Sequence, residues 1–116
     1  LAVDRTNERV AQLYTPADPS ILRLIRGVIR DAARSDVSVS LCGEMAGDPL
    51  FTILLVGLGL RTLSMAAGNI PRVKKIIRSI SMDDADRVKR RVLSFETERE
   101  VLNYIRDETR KVWGDI

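Results

Sequence analysis

The sequence predicts an α/β protein, and three observations carry that prediction. Residues 37–41 alternate apolar and polar side chains as a half-buried strand does, and residues 61–65 form a second short strand-like run. Each is bracketed by stretches with apolar residues at helical spacing, so the order is helix, strand, helix, strand, helix, that of a parallel sheet with crossover helices. Between the first strand and the helix after it lies Cys42-Gly43-Glu44-Met45-Ala46-Gly47-Asp48-Pro49, which holds the chain's single cysteine. Chemistry in α/β proteins gathers at strand carboxyl ends, so this is the candidate active-site loop.

Each element has a local cause. Asp18 is a helix N-cap with Pro19 at the first helical position, and Ile21, Leu22, Ile25, Val28, Ile29 and Ala32 make one buried stripe up to about Ser35. In the strand at 37–41, period-2 alternation puts Val37, Val39 and Leu41 on one face and Ser38, Ser40 and Cys42 on the other, so the thiol faces away from the apolar side. Residues 49–58 read as a short helix, apolar nearly all round, that Gly59 ends. Asn69 with Pro71 opens a third helix bearing Val73, Ile76, Ile77 and Ile80. Ser81 with Asp84 caps a fourth, carrying Ala85, Val88 and Val92, and Thr97 with Glu100 is a capping box for the last, through Val101, Leu102, Ile105 and Val112.

Composition sets limits. A chain of 116 residues, 45% hydrophobic, has the material for one small core. Its formal charge of +3, with 30% charged residues of both signs, demands neither a nucleic acid nor a membrane surface as partner. The longest apolar stretch, 50–60, is too short to span a bilayer, and no charged-then-apolar leader opens the sequence. One cysteine excludes an intrachain disulfide and suits a reducing compartment, the cytoplasm. With no histidine in the chain, a His-based triad, a His-liganded zinc and a phosphohistidine are excluded within these residues. Two strands make a poor independent sheet, and Leu1-Ala2-Val3 starts mid-pattern, so the chain reads as a piece of something larger.

Four motifs carry a resemblance. Ala-Val-Asp-Arg-x-Asn begins at Ala2, the cysteine loop spans 42–49, Leu-Gly-Leu-x-x-Leu-Ser-Met begins at Leu58, and Ile-Pro-Arg-Val-Lys begins at Ile70. In this order and spacing the chain resembles the end of the phosphoenolpyruvate-binding (β/α)8 barrel of enzyme I of the bacterial phosphotransferase system. The resemblance covers the chain to about Arg78. It implies a C-terminal TIM-barrel fragment over residues 1–116, with 37–41 and 61–65 as strands seven and eight. It further implies phosphoryl transfer from phosphoenolpyruvate to an enzyme histidine and then to a histidine-containing phosphocarrier protein, with pyruvate released and Mg2+ bound by residues upstream. By that resemblance Cys42 is the proton donor to the enolate and Arg5 binds the substrate phosphate. A thiol suits the first role because its ordinary pKa near 8.5 leaves it protonated at neutral pH, and a planar guanidinium suits the second.

Glu44 and Asp48 read as loop and N-cap residues rather than metal ligands, and Gly43 and Gly47 serve the loop backbone by positive φ or close approach. Met65, at the end of the second strand, reads as a core residue, with lining of a pocket as the alternative. The cations Arg72, Lys74, Lys75 and Arg78, then Arg87, Lys89, Arg90 and Arg91, read as solvated helix faces, and Tyr104 and Trp113 as packing for a terminal helix or a subunit contact. A pyruvate phosphate dikinase or phosphoenolpyruvate synthase is the enzymatic alternative, although their Cys-Gly-Glu loop continues differently from Met45-Ala46-Gly47. A non-catalytic interaction module is the third reading. A strand pair with bare flanks is also expected to be covered, by exchange within a homo-oligomer if nothing else is present.

Overall fold

A computed structural model describes residues 3–114, in which helices carry nearly all the regular structure. Helix α1 (Pro19–Arg34) starts where expected: the Asp18 carboxylate accepts the Ser20 N–H at 2.9 Å, and Pro19 occupies the first turn. A helical turn α2 (Glu44–Gly47) and a 3-10 turn (Pro49–Phe51) lead into α3 (Thr52–Leu58), which Gly59 ends in the left-handed region at φ 111°. Helices α4 (Ile70–Arg78), α5 (Met82–Leu93) and α6 (Glu98–Trp113) follow.

The capping signals are met unevenly. At α5 the full box forms, with the Ser81 hydroxyl accepting the Asp84 N–H and the Asp84 carboxylate accepting the Ser81 N–H. At α6, Thr97 accepts the Glu100 N–H at 3.2 Å, but Glu100 bonds the Thr97 hydroxyl at 2.8 Å rather than its backbone. Asn69 precedes α4 without a side-chain cap bond.

Helix α3 is the hub. Ile53, Leu54, Leu55 and Leu58 are buried and meet Leu22 of α1, Ile76 of α4, Val88 and Val92 of α5, and Val101 and Ile105 of α6 in one cluster. Its closest partner is α5. Gly57 allows this, because a Cβ there would overlap the Ala85 carbonyl oxygen and lie 3.0 Å from the Lys89 Cβ. The α1 stripe is met only in part: Leu22 is buried and Ile25 and Ile29 pack on the cluster, whereas Val28 is exposed.

The expected strands require correction. Among the described residues, 37–41 and 61–65 form a single parallel bridge, Leu41 opposite Leu63. It is made by Leu41 N–H to the Thr62 carbonyl at 3.1 Å and Ser64 N–H to the Leu41 carbonyl at 2.8 Å. The segments run side by side in the expected direction. Each has an outer edge with no neighbouring strand, and a ladder of two short segments does not propagate beyond one rung. The α/β class read from the sequence is therefore replaced by a helical arrangement with one parallel bridge.

Several cations of the basic helix faces are paired or packed. Asp86 binds both Lys89 and Arg90, and Arg87 reaches Glu108 at 3.0 Å. Arg72 and Lys75 lie 5.5 and 5.1 Å from the Trp113 ring centroid, which seats the end of α6 on α4. Tyr104 meets Phe95 edge-on at 5.6 Å.

Candidate functional site

The Leu41–Leu63 bridge fixes where the cysteine loop begins. One residue later Cys42 exposes its thiol, and Ser38 and Ser40 are exposed with it while Val39 and Leu41 are half-buried. The alternation thus orients the side chains without a continuous ladder, except that Val37 is also exposed. Gly43 then takes φ 96°, ψ −169°, a region that essentially only glycine enters, and this turns the backbone into α2. After α2, the Asp48 carboxylate accepts the Leu50 N–H at 3.0 Å and caps the turn before α3.

Gly47 acts differently. Its φ is ordinary, but it is buried, and a Cβ would stand 2.8 Å from the Asn69 Nδ2 and 3.1 Å from the Met65 Cβ. The loop is therefore seated on the end of the 61–65 segment and the approach to α4. Asn69 contributes to that seat through its side chain, a role its reading as a helix opener does not include. Met65 is half-buried and lines an open apolar hollow of about 420 Å³ with Leu63, Ile70, Val73, Ile77 and Met82, so it is not the core residue expected.

The first motif reaches the loop from the other side. Ala2 lies outside the described residues, but Asp4 accepts the Thr6 N–H at 3.0 Å and the Thr6 hydroxyl at 2.7 Å. Those bonds from Thr6, side chain first, hold the Asp4 carboxyl below its ordinary value. Asn7 accepts the Arg9 N–H at 3.0 Å, and the two turns present Arg5 outward. Arg5 Nη1 donates to Glu44 Oε1 at 3.5 Å, and its guanidinium stands 6.0 Å from the Tyr14 ring centroid. Glu44, read as a loop residue, is thus the partner of Arg5. Tyr14 carried no signal at all beyond being an aromatic next to a turn.

The assembled groups are an exposed thiol, an arginine and a fixed loop between them. They can offer a cation to an anionic group and a proton to a carbon or oxygen base. Glu44 is engaged by Arg5 and Asp48 by the backbone, and among the described residues no three metal-ligating side chains converge. No helix among the described residues is long and apolar enough to cross a membrane.

The family model described as "PEP-utilising enzyme, PEP-binding domain" matches residues 1–82, and the chain belongs to that family. Helix α6 and all but the first residue of α5 lie beyond the match.

Named relatives are similar over nearly the whole chain. A phosphoenolpyruvate-protein phosphotransferase of Buchnera aphidicola (subsp. Acyrthosiphon pisum) is 43% identical over 105 residues, which is 90% of this chain and 18% of that protein. That of Bacillus subtilis is 42% identical over 107 residues, 92% of this chain and 19% of its own length. A Salmonella typhimurium protein named phosphoenolpyruvate-dependent phosphotransferase system is 41% identical over 105 residues, 90% of this chain and 14% of that protein. The chain thus spans less than a fifth of the length of each.

Proposed function

We propose that this chain is the carboxyl-terminal part of a phosphoenolpyruvate-protein phosphotransferase, enzyme I of the phosphotransferase system, and that in the whole protein it closes a (β/α)8 barrel. The observation that carries the reading is the meeting of the motifs in space: Arg5 bonds Glu44, Leu41 bridges Leu63, and Gly47 rests on Met65 and Asn69. In a closed barrel, 37–41 and 61–65 gain the neighbours they lack here and become its seventh and eighth strands. The names of the relatives favour this enzyme over a dikinase or synthase.

The chemistry follows from the residues. Arg5 binds the phosphate of phosphoenolpyruvate with paired N–H donors. As the phosphorus–oxygen bond breaks, the phosphoryl group passes to a histidine nitrogen supplied by another part of the enzyme. The enolate left behind takes a proton from the Cys42 thiol at its methylene carbon and becomes pyruvate, and the thiolate regains a proton from water. Gly43, Glu44 and Gly47 hold the loop. Mg2+, which residues outside this chain would hold, would supply charge neutralisation for the transferring phosphoryl group. The histidine then passes its phosphoryl group to a phosphocarrier protein in the cytoplasm.

Alone, this chain lacks the histidine and turns over no phosphoenolpyruvate. The test is Cys42→Ala in the full-length enzyme. Pyruvate release should fall by several orders of magnitude while phosphate exchange between the histidine and the carrier stays near the starting rate, because that exchange involves no carbon acid. Equal loss of both half-reactions would overturn the assignment of Cys42.

A further inference from the structure

Arg5 and Glu44 lie 39 positions apart in sequence, yet their contact ties the first motif to the cysteine loop. An unrestrained arginine samples many rotamers, and ordering it when a ligand arrives costs conformational entropy. Here the Glu44 carboxylate, 3.5 Å from Nη1, and the Tyr14 ring, 6.0 Å from the guanidinium carbon, restrict it beforehand. A guanidinium has five N–H donors in a fixed fork. Among the described residues Arg5 engages one nitrogen, so another edge is available for a phosphate. Glu44 is itself placed by its backbone, since it is the first residue of α2 and follows Gly43 at φ 96°.

We propose that Glu44 and Tyr14 are positioning residues that hold the Arg5 guanidinium beside the Cys42 loop with one edge presented to the substrate phosphate. The inference rests on the reading of Arg5 as the phosphate ligand given above. Glu44 touches neither the phosphorus nor the carbon and acts through Arg5. Its sign is diagnostic: a carboxylate that merely stood near the incoming anion would repel it, and its removal would tighten binding, whereas loss of a positioning carboxylate weakens binding.

The experiment is steady-state kinetics of the phosphoenolpyruvate half-reaction in the full-length enzyme. Glu44→Gln is expected to raise the KM for phosphoenolpyruvate about two- to fivefold, the range of an exposed ion pair, with kcat unchanged. Tyr14→Leu should act in the same direction, and Tyr14→Phe, which keeps the ring, should not. In an Arg5→Gln background, Glu44→Gln should add nothing, because the two act as one unit. A KM that changes less than twofold or falls in Glu44→Gln, or effects of the two substitutions that multiply, would overturn the positioning role and leave Arg5 as phosphate ligand standing. Full activity in Arg5→Gln alone would overturn both.

Discussion

Gly57 on α3 and Ala85 on α5 meet backbone to backbone, so closely that any side chain at position 57 would overlap the Ala85 carbonyl oxygen. Alanine is ordinarily the better helix former by about 1 kcal/mol. Gly57→Ala is nonetheless expected to destabilise the chain by about 2 kcal/mol or more, because α3 is the hub of the core and would have to move off α5. Denaturant titration followed by circular dichroism measures this, and an unchanged or raised midpoint would contradict the packing.

Gly27 and Gly43 should respond in opposite ways to alanine. Gly27 lies inside α1 with open space where a Cβ would go, so Gly27→Ala should stabilise by about 0.5–1 kcal/mol. Gly43, at φ 96° and ψ −169°, should lose about 1–3 kcal/mol from strain in the loop. The pair of unfolding midpoints, one up and one down, is the measurement.

Glu108 joins α5 to α6. Its side chain is 7% exposed, and it receives Arg87 at 3.0 Å and Lys111 at 2.8 Å. Burial pushes its pKa up, but the bonds from Arg87 and Lys111 outweigh that and hold the carboxyl below its ordinary value. A depressed folded-state pKa adds stability that is fully present above the unfolded value, about 4.3, and is lost as pH falls through the folded one. Glu108→Gln should therefore cost about 1–2 kcal/mol at neutral pH. The gap between variant and parent should shrink in unfolding titrations run at successively lower pH below about 4.

Association is the fourth expectation. Leu24 and Val28 on α1 and Val37 after it are exposed, and so are Ile70, Ile77 and Met82, which line the apolar hollow. The chain studied by itself should self-associate at micromolar concentration, as a homo-oligomer formed by strand or helix exchange around 37–41. Sedimentation equilibrium reads the mass, and a cooperatively folded monomer would contradict this.

What was legible in the sequence was local. Asp18, Ser81 and Gly59 mark helix ends because the bonds they make or the conformation they adopt involve only their near neighbours. The strands at 37–41 and 61–65 were misjudged because a strand exists only against a neighbour, and periodicity cannot say whether the neighbour is present. Cys42 and Arg5 stood out through their motifs, but the Arg5–Glu44 contact joins residues far apart in the chain. Asn69 under Gly47 and Gly57 against Ala85 are invisible for the same reason. Glu108 did leave a trace: it falls on the buried stripe of Val101 and Ile105, where a lone carboxylate needs a cation.

Trp113 is the sole tryptophan of the chain and sits half-buried against Arg72 and Lys75 of α4, at the far end of the last helix. Undocking of α6 would move that indole from a cationic shelf into bulk water and shift its emission to longer wavelength. The molecule thus carries a built-in optical gauge for one event, the seating of its terminal helix, that can be read separately from overall helicity.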